Sequence, residues 1–269
     1  MTDISAALRE FAEEPEAFIE APAPARRITT PKYSIVLSPS TSHSTVSRVR
    51  TTAQDLDATI DEIRATLREH GYVGNVWYVG PSCRPAGLAD LLKARGFVPA
   101  ERPPFEPAFT SMALVAPPPP VPEGAGIEAR LVGNLDEYVQ ALRIGMEVFQ
   151  ESEEASAAWL AAAPALWAQQ DGVNRFTHIA FLDGRPVAFG FAATAAAGVM
   201  LGGSGVLEAA RGRGVYRALL AARWLEAAKI GKPGLVIHAG AMSRPILERC
   251  GFEALCHIDA LEDPAVRPA

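Results

Sequence analysis

The sequence predicts an α/β protein with a mixed sheet, built as two strand-and-helix halves in tandem. Three observations carry this. Apolar runs of strand length alternate with helix-period segments along the chain. The stretch Ala116-Pro117-Pro118-Pro119-Pro120-Val121-Pro122-Glu123-Gly124 interrupts that alternation near the middle. Each half also closes alike: a strand, an Arg-Pro pair (Arg84-Pro85, Arg244-Pro245), a Leu-bearing helix, then Gly-Phe (Gly96-Phe97, Gly251-Phe252). Self-similarity of this kind is what a duplicated fold leaves in a chain. Chance likeness of two strand–helix units is the competing reading. The expected division is 1–116, a linker at 117–124 in extended polyproline geometry, and 125–269.

In order, residues 4–20 read as a helix burying Ile4, Leu8, Phe11 and Phe18. A Pro/Ala-rich break follows, then a short strand at 32–37. Ser and Thr dominate 38–47, where strand edges and turns are expected. Leu56, Ile60, Ile63 and Leu67 recur at helical spacing within 52–70, and Gly71 stands where a helix stop is wanted. Val76-Trp77-Tyr78-Val79 is a buried-strand pattern, 88–94 a helix, and 109–115 a strand. The second half opens with a strand at 127–131. Asn134 is placed to cap a helix over 135–149, and a second helix runs from the acidic tract 150–154 to about 170. Strands at 177–182 and 186–193 flank Asp183-Gly184, a hairpin signal. A glycine-rich strand at 199–207, a helix at 215–229, a strand at 235–237, a helix opened by Ser243-Arg244-Pro245 and a strand at 255–261 complete the pattern.

Composition narrows the function. Hydrophobic residues make up 49% and charged residues 21%, at a formal net charge of -6. Nucleic-acid backbones demand a basic surface, so an acidic chain is not a general binder of them. Docking on an anionic membrane is disfavoured for the same reason. Cys83, Cys250 and Cys256 are few, odd in number and without metal or disulfide spacing, which suits a reducing compartment. The acidic start carries no signal-peptide pattern, and no apolar run is long enough to span a bilayer. The expected location is cytoplasmic.

Against that background, Gly205 to Leu220 is chemically specific. A strand ends, Arg211-Gly212-Arg213-Gly214 turns, and a helix begins. Glycine lets backbone approach a ligand without a Cβ in the way. The first amides of a helix lack intrahelical partners and, with the dipole, form an anion site. Arginines add bidentate phosphate donors. Between Lys32 and His70 there is no glycine, so the first half has no such cradle. The turn lacks Gly-Lys-Ser/Thr, so the lysine and magnesium ligand of a nucleotide-hydrolysing phosphate loop are missing.

The second half resembles the GNAT superfamily of N-acetyltransferases over about 126–263. The family carries Arg/Gln-x-x-Gly-x-Gly/Ala after its fourth strand; here this is Arg211-Gly212-Arg213-Gly214-Val215-Tyr216, with Tyr216 in place of the final small residue. The helix ending in Gly251-Phe252 and the order of elements also match. The first half looks like a degenerate copy. The resemblance implies acetyl-CoA as acyl donor, its pyrophosphate on the amides from Arg213 through Arg217. It also implies a pantetheine arm running beside Val206, Leu207 and Glu208, where a backbone amide polarises the thioester carbonyl. The cofactor-site residues expected on this basis are Val206, Leu207, Glu208, Arg211, Gly212, Arg213, Gly214, Val215, Tyr216, Arg217 and Ser243.

Acyl transfer to an amine needs a neutral nucleophile. Many family members protonate the departing thiolate with a tyrosine four residues before the Gly of Gly-Phe. That position here is Leu247, and Gly240 stands where a leading Asn is frequent. His238 and Glu208 are the catalytic candidates. The alternatives are a hydrogen-bonded strand histidine and a turn carboxylate facing solvent or Arg211. Tyr216 either caps the cofactor side or packs under the helix; Ser243 either caps the last helix or touches the cofactor. No metal site is expected. The leading reading is an N-acetyltransferase acting on a small-molecule or peptide amine, with a non-catalytic acyl-CoA-binding protein as the alternative. A two-copy chain mimics the dimer of single-copy relatives, which favours a monomer.

Overall fold

A computed structural model describes residues 4–39, 41, 44–101, 106–120, 126–232 and 234–266. The first half runs α1 (Ala6–Glu13), β1 (Arg26–Thr29), β2 (Ser34–Leu37), β3 (Ser44–Ser47), α2 (Leu56–Glu69), β4 (Val76–Val79), α3 (Leu88–Lys93), β5 (Val98–Pro99) and β6 (Ala108–Leu114). The second runs β7 (Ile127–Leu131), α4 (Leu135–Phe149), α5 (Glu153–Trp167), β8 (Arg175–Leu182), β9 (Arg185–Thr194), β10 (Val199–Val206), α6 (Val215–Lys229), β11 (Leu235–Ala239), α7 (Arg244–Arg249) and β12 (Glu253–Glu262). Residues 117–120 of the expected linker are irregular, and 121–124 lie outside the described residues.

Local chemistry accounts for most boundaries. The α2 stripe Leu56, Ile60, Ile63 and Leu67 is buried as its spacing requires. Asn134 caps α4 by accepting from the Glu137 amide at 2.9 Å, and the Glu137 carboxylate returns to the Gly133 amide at 2.8 Å. This reciprocal pairing serves donors that the first turn leaves over. Asp183 and Gly184 both take positive φ, 51° and 76°, as a two-residue hairpin turn between antiparallel strands demands. Two expectations need correction. The helix expected over 4–20 ends at Glu13; Pro15 has no amide N–H to donate and opens a separate 3-10 turn, Pro15–Ala17, leaving Phe18 exposed. The Pro/Ala-rich break also hides β1, which pairs antiparallel with β2.

Among the described residues all twelve strands join one sheet, ordered β1-β2-β3-β4-β12-β6-β11-β10-β9-β8-β7, with β5 beside the end of β12. Each half has one parallel junction, β3 with β4 and β10 with β11, each held by two residue pairs. The halves then trade strands. β6 leaves the first half to pair with β11, while β12 leaves the second to pair with β4, and the two exchanged strands lie against each other.

Successive residues of the central strands pack on opposite faces. On one face Val199, Leu201 and Ile237 meet α6 and α7; on the other, Met200 and Val236 meet α1, and Ile179 and Phe189 meet α4 and α5. Under α6 lies an anomaly. Arg223 is wholly buried; one Nη donates to the Phe191 carbonyl, while Nε and the other Nη have no partner among the described residues. Burial pushes its guanidinium down to about 10. A buried charge without a counterion disfavours the fold. The Arg223→Met variant, similar in length, should therefore gain about 1–3 kcal/mol in urea denaturation at neutral pH. An unchanged or lower midpoint would contradict this.

Candidate functional site

The site is made by a parting of strands. β10 and β11 pair only at Val199–Leu235 and Met200–Val236. Beyond those pairs, Leu201 to Val206 on one side and Ile237, His238 and Gly240 on the other line a cleft of about 1000 Å³. β10 also bulges: Leu201 opposes Ala192, but Ser204 opposes Gly190, so one extra residue lies between. A bulge takes a residue out of the ladder, and this one lies in the wall of the cleft.

On the α6 face the cleft ends at the cradle. Gly212 and Gly214 have φ of 75° and 88°, the left-handed region that side chains resist. A Cβ at Gly212 would meet nothing within 4 Å, so the turn is open to an approaching ligand. The first intrahelical bond of α6 runs from the Ala218 amide to the Gly214 carbonyl at 3.1 Å. Among the described residues, the amides of Gly212 through Arg217 have no acceptor. Arg211, Arg217 and Arg249 line the same end, and Arg211 Nε donates to the Val206 carbonyl at 3.1 Å. Free amides, a helix dipole and arginines together form a donor set for a polyanion such as a diphosphate.

Of the expected cofactor residues, Val206, Arg211, Gly212, Gly214, Val215, Tyr216, Arg217 and Ser243 line the cleft. Leu207, Glu208 and Arg213 lie outside that lining. Leu207 donates its amide to the Val187 carbonyl, Glu208 is exposed in the 3-10 turn Glu208–Ala210, and Arg213 reaches Asp183 at 3.4 Å. Tyr216 packs under α6, where burial raises its phenol. Ser243 does not cap α7, against the capping reading; its hydroxyl donates to the Gly240 carbonyl at 3.3 Å because Ser243 itself is already helical in φ and ψ.

The opposite face carries His238. Its Nε2 donates to the Ala12 carbonyl at 3.0 Å, and its cross-strand neighbour Ser111 donates to the same oxygen at 2.7 Å. Burial lowers its pKa, while the carbonyls of Ala12 and Glu13 at the end of α1 oppose that shift. The ring is thus a neutral imidazole held by groups that favour its protonated form. Leu247 is fully buried in the core, so no proton donor stands there.

Sequence reasoning missed what the first half brings. Tyr78 of β4 packs edge-on to His238 at 6.0 Å between centroids and to Phe109 of β6 at 5.9 Å. All three line the cleft. The Tyr78 hydroxyl makes no hydrogen bond among the described residues, and burial, then the Glu16 charge, raise its pKa well above the ordinary phenol value. The alternation in Val76-Trp77-Tyr78-Val79 sets Tyr78 opposite Trp77. Its neighbourhood to His238 follows from the exchanged strands, which no local pattern announces.

No protein-family model matches the chain, and no curated protein resembles it in sequence. Solved structures do resemble it. A GCN5-related N-acetyltransferase from Kribbella flavida superposes with a TM-score of 0.69 at 17% identity, covering 97% of each chain. One from Sphaerobacter thermophilus gives 0.63 at 19% identity over 88% of this chain and 78% of its own. A tandem GNAT protein from the clavulanic acid biosynthesis pathway gives 0.60 at 16% identity over 98% and 89%. The fold is that of the GNAT acetyltransferases, in a mixed α/β sheet.

Proposed function

We propose that the chain transfers an acetyl group from acetyl-CoA to an amine. The observation that carries this is the cleft threading the parted strands, with the phosphate cradle on one face and His238 and Tyr78 on the other. The cradle amides and Arg211, Arg217 and Arg249 hold the diphosphate of the donor. Charge-assisted hydrogen bonds contribute about 1.5–3 kcal/mol each, and micromolar affinity needs about 8 kcal/mol net, so a handful suffices. Acetyl-CoA supplies an activated acyl group as a thioester. Backbone donors at the β10 bulge stabilise the carbonyl oxygen as the amine adds. His238 receives the proton the amine sheds, its charged form held by the α1 carbonyls. Tyr78, whose raised pKa keeps the phenol protonated at neutral pH, gives that proton to the departing thiolate, and the charged His238 beside it returns one to the phenolate. Glu208, exposed and outside the cleft lining, takes no direct step in this scheme.

The buried Leu247 favours a second reading, an acyl-CoA-binding protein without turnover. Calorimetry with acetyl-CoA and release of free CoA in the presence of an amine panel separate the two. Saturable binding with CoA release supports the transferase; binding alone supports the second reading; no binding sinks both. In the transferase, Tyr78→Phe keeps the ring against Phe109 and His238 but removes the proton. It should cut kcat by about 100-fold and leave acetyl-CoA affinity unchanged. An unchanged kcat would remove Tyr78 from the mechanism.

A further inference from the structure

We infer that the amine acceptor carries an apolar group about the size of an aromatic ring, held in a bay between α4, α5 and the β9–β10 hairpin. This rests on the acyl-transfer reading. Leu142, Met146 and Phe149 stand at i, i+4 and i+7 on α4, and so share one helix face. That face, Trp159 of α5 and Phe191 of β9 line one end of the cleft. Phe191 is 39% exposed although its strand neighbour Ala192 is buried. A large ring left open inside a concave apolar wall marks a binding surface.

The bay's floor is built for rings. A Cβ at Gly202 would fall 2.0 Å from the Phe191 ring, and one at Gly203 would lie 3.3 Å from the Phe149 ring. The two glycines let both rings settle onto bare backbone of β10, beside the bulge. Several polar groups along the cleft are already committed: Thr177 donates to Gln170, Glu14 pairs with Arg50, Glu16 accepts from Thr45, and Glu13 accepts from Ser82. Arg175 also lines this region. A polycation would meet that charge and find few free carboxylates. Apolar contact is what the wall offers.

The bay serves the acceptor because of its place. It lies on the α4 and α5 face of the sheet, whereas the cradle lies at the start of α6 on the other face. A donor anchored at the cradle brings its thioester into the parting of the strands, and a two-carbon acetyl group ends there. The amine must then come from the face that holds the bay. A longer acyl chain is the rival source of the same apolar chemistry.

The test compares benzylamine with ethanolamine, primary amines of similar basicity, at saturating acetyl-CoA. In a second arm, hexanoyl-CoA is compared with acetyl-CoA, with ethanolamine as acceptor. Benzylamine should show a kcat/KM at least ~10-fold higher. Phe191→Ala, and independently Met146→Gln, should shrink that preference to within about threefold while acetyl-CoA affinity by calorimetry stays unchanged. Equal rates with the two amines overturn the inference. So does a preference that appears only in the acyl-CoA arm and is erased by Phe191→Ala, which would give the bay to the acyl chain. Failure of the wild-type protein to bind acetyl-CoA or release CoA is a different result, because it removes the acyl-transfer reading itself and this inference with it.

Discussion

The His178→Leu variant should lose a large part of the protein's sensitivity to mild acid. His178 is 1% exposed on β8, edge-on to Phe176, and its Nδ1 has no partner among the described residues. Burial first, then the charges of Arg223 and Lys229, push its pKa down to about 3. In the unfolded chain a histidine titrates near 6.5. The neutral ring therefore stabilises the fold fully above about pH 6.5, and this is lost as pH falls toward 3, since the unfolded chain binds a proton that the native state refuses. At about 1.4 kcal/mol per unit the whole window is worth about 5 kcal/mol. Between pH 6.5 and 5, before most carboxylates titrate, wild type should lose about 2 kcal/mol on this account. His238, also lowered, remains in the variant. The difference between the two stability curves from urea melts therefore isolates His178. Parallel curves would show that position 178 accepts its proton in the folded state.

Gly214→Val should weaken acetyl-CoA about 10- to 100-fold, the effect of losing one charge-assisted contact from the cradle. At φ 88° a β-branched residue is badly strained. The nearest atom to its Cβ would be Ile127 Cδ1 at 3.7 Å, so space is not the obstacle. Relief of the strain rotates the peptide units that open α6, and the free amides turn with them. Gly231→Val is the control. It imposes the same left-handed strain at φ 72°, with nothing within 4 Å, just past the other end of α6. Both variants should lose stability; only Gly214→Val should lose affinity in calorimetry. Equal affinity in both would detach the cradle from the ligand.

Most of this architecture could be read from residues that act locally. The stripe of α2, the Asn134 cap, the Asp183-Gly184 turn and the run from Arg211 to Gly214 each state their conformation within a few positions. Apolar spacing continues past Pro15 although α1 does not, and Arg26-Arg27-Ile28-Thr29 has too little apolar contrast for β1 to stand out. The cradle was legible for the same local reason. The His238 end of the cleft was not. His238 was visible as a strand histidine, but its acceptor is on α1 and its aromatic neighbours are Tyr78 and Phe109, more than 120 positions earlier in the sequence. Arg223 and His178 were equally silent, since burial of a charged or titratable group at these positions follows from packing that periodicity does not encode.

The strand exchange carries a consequence for how the chain is made. A ribosome delivers β4 and β6 early, yet the strand that lies between them, β12, emerges after every other strand. Until then the first half presents two open sheet edges, the kind of edge that invites pairing with other chains. Its sheet cannot close domain by domain during synthesis, the usual economy of two-part proteins. A stop codon or a slowed stretch just ahead of residue 253 should thus expose the half that was translated first, and draw chaperones to it rather than to the half that is incomplete.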